Sequence, residues 1–462
     1  MSDFDVAAML ASRDALLAAA AERARSYLAA IDERRVPPTH EAIAALEAFD
    51  MPLPDRGLDG LRALALLDDV GSPATMATTG PRFFGFVNGG ALPIAVATSW
   101  LLAAWDQNAA LRVMSPVAAR LEATALRWLT ELFGLPEGTA GGFVTGATMA
   151  NATCLAAARD AVLAATGWDA SARGLVGAPE IEVVVSSEAH ATVHKALGIV
   201  GLGRDRVTRL AVDAQGRVRA DSLPTLRQPA IVCLQAGNVN SGASDPFVPL
   251  VRWAREQGAW VHVDGAFGLW AAASPKIAPA VAGVDRADSW ATDAHKWLNT
   301  TYDCGIAFVR DPDALRRSMQ ARAAYLVAEA EHETMEYTPQ SSQRARGAEV
   351  WAVLATLGRG GVAALVERSC ALARRFAEGL AATGFQVLNE VVLNQVVVEF
   401  GDAERTAAVI AAVQEDGTCW CGPTTWQGRP AMRISVSCWA TTDDDIDRSI
   451  DSVVRCASEP HP

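Results

Sequence analysis

The chain has 462 residues, of which 50% are hydrophobic and 20% charged, and its formal net charge is -13. This length and composition indicate a globular protein with enough apolar material for two or three domains. The negative charge argues against a nucleic-acid partner and against binding to an anionic membrane surface. The eight cysteines form no CxxC pair, which argues against a zinc site and against a disulfide framework. We therefore expect reduced thiols, no metal ion, no secretory signal in the acidic N-terminus and a cytoplasmic location.

The first part of the chain is predicted to be helical. Apolar residues recur at helical spacing from residue 6 to about residue 31, Pro37-Pro38 ends this helix, and Thr39 begins another. No residue pattern here indicates chemistry, so we assign residues 1–80 to a helical segment that packs across a subunit interface. The apolar run 89–104 contains Pro93, and it predicts a buried helix rather than a membrane span.

From Gly141 onward, short apolar strands alternate with helices. The predicted strands cover 142–144, 181–186, 207–210, 230–234, 260–264, 287–293 and 305–309. This alternation indicates a largely parallel sheet with crossover helices, and we assign residues 81–345 to this large α/β domain. Residues 346–462 predict a smaller α+β domain. The polar stretch 320–345 between them predicts a mobile loop over a site.

Distinctive residue groups follow four of the predicted strands, at the edge where ligands bind in an open parallel sheet. They are 145–148, 187–190, 262–266 and 293–296. Each has a plain alternative: a strand-to-helix turn, a capping histidine, a helix-capping aspartate, and a lysine whose ammonium lies in water. Their order along the chain gives a phosphate-binding turn, a histidine, an acid and a lysine, about one strand–helix unit apart. This combination is more specific than any single group.

Lys296 is the residue around which these groups are organised. A lysine among small and apolar residues is disfavoured unless it is paired or used covalently. We therefore predict that Lys296 holds pyridoxal phosphate (PLP) as a Schiff base, which requires a protected pocket. Asp264 is predicted to pair with the protonated pyridine nitrogen, and the small Ala266 leaves room for the ring.

Four runs of this sequence resemble the PLP-dependent group II decarboxylase family, which includes glutamate and aromatic amino acid decarboxylases. They are TGATMANATCLAAARD, SSEAHATVHKA, HVDGAFG and DSWATDAHKWLN. The resemblance extends from about residue 80 to the end of the chain. It implies the type I, aspartate-aminotransferase-like α/β fold, an L-amino acid substrate, and a homodimer whose active sites are shared between subunits.

The resemblance also implies roles for single residues. Lys296 carries the cofactor, His190 stacks on the pyridine ring, and Asp264 pairs with the ring nitrogen. Further cofactor contacts, to the phosphate or the ring hydroxyl, are implied for Ala147, Thr148, His295, Asp293 and Asn238. Asn238 departs from the threonine that relatives often carry at this position.

Decarboxylation of an L-amino acid to the amine and carbon dioxide is the predicted reaction, and it needs an acid that protonates the substrate carbon. The family often uses a loop tyrosine of the partner subunit. Tyr337 in the polar stretch is preferred for this role, and Tyr325 is expected to be structural. Phe83 and Phe84 are candidates for the side-chain pocket. Arg433 is a candidate for binding the substrate carboxylate, and the alternative is an exposed edge arginine. A carbon–carbon lyase or aldolase and an aminotransferase stay open as other reactions on the same cofactor.

Overall fold

The computed structural model of the chain describes residues 6–320 and 333–458. The helices are α1 (Val6–Ala29), α2 (His40–Ala44), α3 (Gly60–Leu66), α4 (Pro93–Trp105), α5 (Pro116–Phe133), α6 (Ala147–Ala164), α7 (Ala170–Arg173), α8 (Ala191–Ile199), α9 (Phe247–Glu256), α10 (Pro312–Met319), α11 (Arg346–Ala382), α12 (Ala403–Asp416) and α13 (Asp443–Ser458). The strands are β1 (Ala140–Val144), β2 (Glu182–Ser186), β3 (Thr208–Leu210), β4 (Ala230–Gln235), β5 (Trp260–Asp264), β6 (Ser289–Asp293), β7 (Gly305–Val309), β8 (Gln386–Val387), β9 (Gln395–Glu399), β10 (Gly422–Trp426) and β11 (Arg429–Ser435).

The larger sheet has seven strands in the order β1-β7-β6-β5-β4-β2-β3. Strand β7 is antiparallel to both of its neighbours, and the pairs from β6 across to β3 are parallel. Strand β4 is buried along its whole length, as expected for a central strand covered on both faces. The predicted α/β architecture is therefore confirmed. Because the parallel strands run the same way, their carboxyl ends, and the residue groups that follow them, meet at one edge.

The smaller sheet is antiparallel, in the order β10-β11-β9-β8, and it packs against helices α11, α12 and α13. Strand β10 was not predicted, because its residues GPTTW show no apolar alternation. A two-residue turn joins it to β11, with φ of 49° at Gln427 and 79° at Gly428. Positive φ at both positions is the geometry of a type I′ hairpin, so the dipeptide Gln427-Gly428 carried the signal.

Helix α11 connects the two sheets. The residue spacing predicts two helices here, over 347–357 and 362–382. The structure confirms them: the helical chain from Arg346 to Ala382 is divided in two at Gly358, where φ is 61° and ψ is 178°. This helix is long and apolar enough to cross a membrane by length and composition alone. It packs against α4 and α5 in the larger unit and against α13 in the smaller one. Since it belongs to both units, the domain boundary at residue 345 stays a prediction.

Helix α4 differs from the prediction of a buried helix. Only Ala95 is buried, while Trp100, Leu101 and Trp105 are 45%, 50% and 40% exposed. Helix α1 likewise has no buried residue. An apolar run predicts that a surface is covered, but it does not tell whether the same chain covers it.

Candidate active site

Lys296 lies just beyond the carboxyl end of β6, in a turn that other residues hold rigidly. Its Nζ is 3.0 Å from Asp293 Oδ2, and the lysine side chain is only 19% exposed. The side-chain amide of Asn299 donates to the carbonyls of Trp297 (2.9 Å) and Ser437 (3.1 Å), which ties the turn to the smaller sheet. The ammonium is thus paired inside the protein, rather than extended into water as the plain alternative required.

Asp293 connects the lysine to the start of helix α6. Its Oδ1 accepts a hydrogen bond from the Ala147 backbone N–H at 2.6 Å, and the carboxylate is almost fully buried. The amino end of a helix carries a partial positive charge, so it stabilises an anion at this point. One carboxylate therefore binds both the helix terminus that was predicted to hold a phosphate and the predicted Schiff-base lysine. Thr148 follows in the first turn of the same helix.

His295 has a defined proton position. Its Nδ1 accepts a hydrogen bond from the Cys304 backbone N–H at 3.1 Å, which leaves the proton of the neutral ring on Nε2. Nε2 lies 3.6 Å from Asp293 Oδ2. Burial lowers the pKa of His295, with Lys296 acting in the same direction and Asp293 opposing both. The ring is therefore a neutral donor beside the phosphate-binding turn.

Asp264 ends β5 at the same edge and is 6% exposed. Burial raises the pKa of this carboxyl, while the nearby charges of His190 and Lys296 lower it. Within the described residues its one hydrogen-bond donor is the backbone N–H of Ala266, at 3.2 Å. A buried carboxylate with so few donors needs a cationic partner.

His190 begins helix α8 as its N-cap residue. Its Nδ1 accepts from the Thr192 N–H at 3.3 Å and also lies 2.7 Å from the Thr192 hydroxyl. The packed surroundings lower the pKa of His190, and the charges of Asp264, Lys296, Arg433 and Asp293 all act on the ring. His190 therefore caps the helix, as the plain alternative proposed. It also lies near the charged groups of the site.

A buried polar cluster that was not predicted from the sequence supports these strand ends. His262 Nδ1 is 2.9 Å from the Ser289 hydroxyl, and His262 Nε2 is 2.9 Å from Asn151 Oδ1. Burial lowers the pKa of His262 to about 3, so the ring is neutral. The cluster ties helix α6 to β5 and β6. A histidine two residues before Asp264, in an otherwise apolar strand, was the available signal.

Arg433 lies in β11, between β10 and β9, so it is not on an edge strand. Burial lowers its pKa, and its positive charge reaches His190. Within the described part of the chain, no hydrogen bond or ion pair satisfies its guanidinium. The alternative of an exposed edge arginine is therefore wrong, because Arg433 is half-buried in an inner strand. A guanidinium without a partner among the described residues is suited to bind a carboxylate.

The aromatic segment corrects the prediction for Phe83 and Phe84. Phe84 is 1% exposed and packs edge-on against Phe376 in the core of the smaller unit, at a ring distance of 5.4 Å. Phe83 is also buried and stacks on Trp420 at 5.1 Å. The other ring that stacks on Trp420 belongs to Phe86, at 5.4 Å, and this ring is 62% exposed. Phe86 is therefore the aromatic residue of this segment that is free to contact a ligand.

Tyr337 lies away from the strand ends of its own chain, and its role as an acid supplied from the partner subunit stays a prediction. It packs on the outer cluster formed by β1, α6 and α10, and the charges that act on its hydroxyl are those of Arg316, Glu336 and Asp313. None of the charged residues of the site is among them. Tyr325 and the rest of 321–332, part of the predicted mobile loop, lie outside the described residues.

Tyr302 is the tyrosine that the structure brings to the site. Its ring stacks on His295 at a centroid distance of 4.4 Å, and its hydroxyl donates to Asn88 Oδ1 at 2.6 Å. Burial raises its pKa to about 12, and Asp293 acts in the same direction. Its position six residues after Lys296 was the only sequence signal.

The predicted cofactor contact of Asn238 stays a prediction, and its side-chain nitrogen has no hydrogen-bond partner among the described residues. It is fully buried, and its Oδ1 accepts from the backbone N–H groups of Asn240 (2.8 Å) and Ser241 (3.2 Å). Its side-chain nitrogen lies beside Gly216. The side chain shapes its own loop because an amide oxygen satisfies two turn N–H groups at once.

Comparison with known proteins identifies the family. Residues 66–400 match the model of the pyridoxal-dependent decarboxylase conserved domain. The chain belongs to this family. It is a PLP-dependent amino acid decarboxylase with the type I fold. The family that the four sequence runs predicted is confirmed.

Its relatives have different activities. The chain is 26% identical to phenylacetaldehyde synthase of Arabidopsis thaliana over 428 residues, which are 85% of this chain and 86% of that protein. It is 29% identical to L-2,4-diaminobutyrate decarboxylase of Rhizobium meliloti (strain 1021) over 436 residues, 88% of this chain and 84% of that protein. The solved structure of Oryza sativa TDC with PLP and tryptamine has a TM-score of 0.88, with 21% identity, 97% of this chain and 98% of that chain covered. The last of these shows the shared fold.

The residues at the sheet edge fit PLP chemically. The site offers a primary amine at Lys296, a buried carboxylate at Asp264 that lacks a cationic hydrogen-bond partner among the described residues, and a helix terminus at Ala147. These match the aldehyde, the pyridine nitrogen and the phosphate of the cofactor. Among the described residues no cluster of His, Cys, Asp and Glu could hold a metal ion.

Proposed function

We propose that the protein decarboxylates an L-amino acid to the amine and carbon dioxide, with Lys296 holding PLP as a Schiff base. One observation carries the proposal: Lys296, the Ala147 N–H and Asp264 converge at one sheet edge, and Asp293 bridges the first two. When bound, PLP accepts the electron pair that the departing carboxylate leaves on the substrate carbon.

The other side chains are assigned by chemistry. Asp264 would hold the proton on the pyridine nitrogen, His190 would stack on the ring, and the small side chain of Ala266 would leave room for it. Thr148 and His295 join Ala147 in holding the phosphate. Arg433 binds the substrate carboxylate, since its guanidinium is largely buried and has no partner among the described residues.

Asp293 has a special position among the cofactor contacts. It accepts from Ala147 N–H, the donor that the phosphate requires, and it lies against Lys296. A carboxylate and a phosphate dianion would repel each other at this helix terminus. We propose that cofactor binding makes Asp293 turn from the helix terminus.

The exposed face of α4 supports a homodimer with shared active sites. Trp100, Leu101 and Trp105 form an apolar surface that a monomer rarely leaves in water. Sedimentation should show a dimer, and Trp100→Glu should shift it toward the monomer. The eight cysteines are buried and form no disulfide, which supports the proposed cytoplasmic location.

The activity is tested with a panel of L-amino acids, in which carbon dioxide, amine, aldehyde and keto acid are measured from the same sample. Equal amounts of amine and carbon dioxide from at least one amino acid are the expected result. Release of an aldehyde from a β-hydroxy amino acid without carbon dioxide would favour the lyase, and keto acid would favour the aminotransferase. Lys296→Ala should abolish turnover, and Lys195→Ala is the matched control.

A further inference from the structure

Asn299 lies where three segments meet: the Lys296 turn, the segment before helix α4 and the chain that follows strand β11. It is fully buried, and its φ of 57° is in the left-handed region, which asparagine adopts more readily than most other side chains. Its backbone N–H donates to the Lys296 carbonyl at 3.2 Å, and its own carbonyl accepts from the Leu92 N–H at 2.9 Å. The backbone of Asn299 therefore joins two of the three segments.

The side-chain amide of Asn299 joins the third segment to the turn. Its nitrogen donates to the carbonyls of Trp297, Lys296 and Ser437, at 2.9, 3.3 and 3.1 Å. Its oxygen accepts from the Trp439 backbone N–H at 2.9 Å. An amide combines two N–H donors with an acceptor oxygen, so this one side chain bonds to the turn and to the smaller unit at once.

Ser437 is connected to Arg433 by a short length of held strand. Residues 432–435 pair with β9, and the next N–H, of Val436, donates to the Asn394 carbonyl at 2.9 Å. Because these bonds keep the chain extended against β9, the position of Ser437 determines the position of Arg433. Asn299 therefore links the Lys296 turn to the strand that carries this arginine.

Lys296 and Arg433 act on the same part of the molecule. Burial lowers the pKa of His190, Asp264 opposes this effect, and the charges of Lys296 and Arg433 lower the pKa further. The amino group and the carboxylate of an α-amino acid are attached to one carbon atom. The groups that receive them must therefore be kept at a fixed separation if both are to be reached at once.

We propose that Asn299 is a positioning residue that fixes the Lys296 turn relative to the strand carrying Arg433. It acts on the substrate only through these two residues. The proposal rests on the proposed decarboxylase function, and it adds the contact that sets the separation between the cofactor lysine and the carboxylate-binding arginine. A purely structural asparagine would stabilise the fold and leave substrate binding unchanged.

The test is Asn299→Gly, because glycine keeps the left-handed backbone and its hydrogen bonds while the amide is removed. The KM for the amino acid that the wild type decarboxylates best should rise about tenfold, and kcat should fall less, since misplacement by about 1 Å can cost 100-fold. The dissociation constant for PLP, from a fluorescence titration without substrate, should change less than about twofold, the usual limit for independent sites. The bonds of Asp293 to Lys296 and to the Ala147 N–H are kept in this variant.

Asn394→Ala is the matched control. Asn394 is equally buried, and its amide nitrogen donates to the Val436 carbonyl and to the Ser437 hydroxyl, both at 3.0 Å. It thus holds the same length of chain, but within the described residues none of its hydrogen bonds reaches the Lys296 turn. Both changes should lower the urea midpoint of unfolding, and only Asn299→Gly should change the KM.

A double-mutant cycle shows whether Asn299 acts through Arg433. In the Arg433→Met background, Asn299→Gly should raise the KM by less than about twofold, because no guanidinium is left to misplace. Asn299→Asp is a second variant, which keeps the acceptor for Trp439 but cannot donate to the three carbonyls. It should raise the KM in the same direction as Asn299→Gly.

Three results would overturn the assignment: a wild-type KM in the folded Asn299 variants, a rise in the PLP dissociation constant as large as that in KM, or full additivity with Arg433→Met. The two proposals fail separately. A wild type that releases no carbon dioxide from the amino acid panel refutes the decarboxylase, whereas additive effects in an active enzyme refute only the role of Asn299.

Discussion

The cofactor side and the substrate side of the site are built in different ways. On the cofactor side, charged residues follow the ends of parallel strands, and Asp293 joins Lys296 to the helix that begins at Ala147. On the substrate side, Tyr302, Asn88 and Phe86 are neutral. Tyr302 is held by a hydrogen bond to Asn88 and by its ring contact with His295, and Phe86 is held by its ring contact with Trp420. The first side therefore depends on topology and the second on packing between segments that are distant in sequence.

Because of this difference, substitutions on the two sides of the site should have different effects. A change on the cofactor side removes a charge that the chemistry needs, and the protein still folds because the sheet stays intact. A substitution on the substrate side alters either the packing of the core or the contact with the ligand, depending on whether the aromatic ring is buried or exposed. The predictions below test this contrast, from the largest expected effect to the smallest.

Asp264→Ala should reduce turnover by about 100- to 1,000-fold, because the site loses the anion that holds the pyridine proton. The protein should still take up PLP, since the lysine and the phosphate donors remain. Turnover and cofactor absorbance measured on the same preparation check both parts. Near-normal turnover would show that this carboxylate has no electronic role.

Phe84→Ala and Phe86→Ala should separate the two faces of one segment. Phe84 lies in the core of the smaller unit, so its loss should reduce the free energy of unfolding by about 3–5 kcal/mol. Phe86→Ala should leave the stability within about 1 kcal/mol and raise the KM for the amino acid. Urea unfolding and steady-state kinetics measure the two effects. Equal destabilisation by both changes would contradict the assignment of Phe86 to the ligand surface.

His262 should make the cofactor side sensitive to acid. Its pKa is lowered to about 3 in the folded protein, so the unfolded chain binds a proton more readily. Stability is therefore full above the ordinary pKa of about 6.5 and falls with pH from there down to about 3. Between pH 7 and pH 5 the contribution is roughly 2 kcal/mol. His262→Gln should lose less stability than the wild type over this range in urea unfolding at both pH values.

Arg433→Met should raise the KM for the amino acid about 10- to 100-fold and change kcat less, because the guanidinium binds the carboxylate before it leaves. Arg429→Met is the matched control, since Arg429 lies in the same strand and pairs with Glu399 at the surface. Similar kinetic effects of both changes would mean that Arg433 has only a structural role.

Asp293→Asn should tighten PLP binding by about tenfold, roughly 1.4 kcal/mol, because an amide can face the phosphate without a negative charge. A fluorescence titration of the protein with PLP measures the change without any substrate. Weaker binding in the variant would show that the carboxylate supports the cofactor and does not compete with its phosphate.

The sequence predicted that the residues of the cofactor side lie together, because parallel topology brings distant strand ends to one edge. Asp264 ends a strand that apolar patterning revealed, and His190 and Lys296 each follow one. The substrate side was predicted poorly. Which of Phe83, Phe84 and Phe86 is exposed depends on Trp420, a contact from the far end of the chain, and periodicity does not encode it.

The choice among the tyrosines was limited in the same way. Tyr337 was preferred for its polar surroundings, whereas the structure places Tyr302 beside the site. The Tyr302 hydroxyl bonds there to Asn88, which is 214 positions away in the chain. The apolar run of α4 was correctly read as a helix. Its burial was wrong because an unpaired apolar face and a covered one have the same sequence pattern.

The most direct test of the account is to reduce the PLP-loaded protein with borohydride and map the modified lysine. The chain has only three lysines, Lys195, Lys276 and Lys296, so the assignment is unambiguous. The expected result is a single pyridoxyl adduct on Lys296, lost in Lys296→Ala and kept in Lys276→Ala. An adduct on Lys195 or Lys276 in the wild type, or none at all, would contradict the central claim.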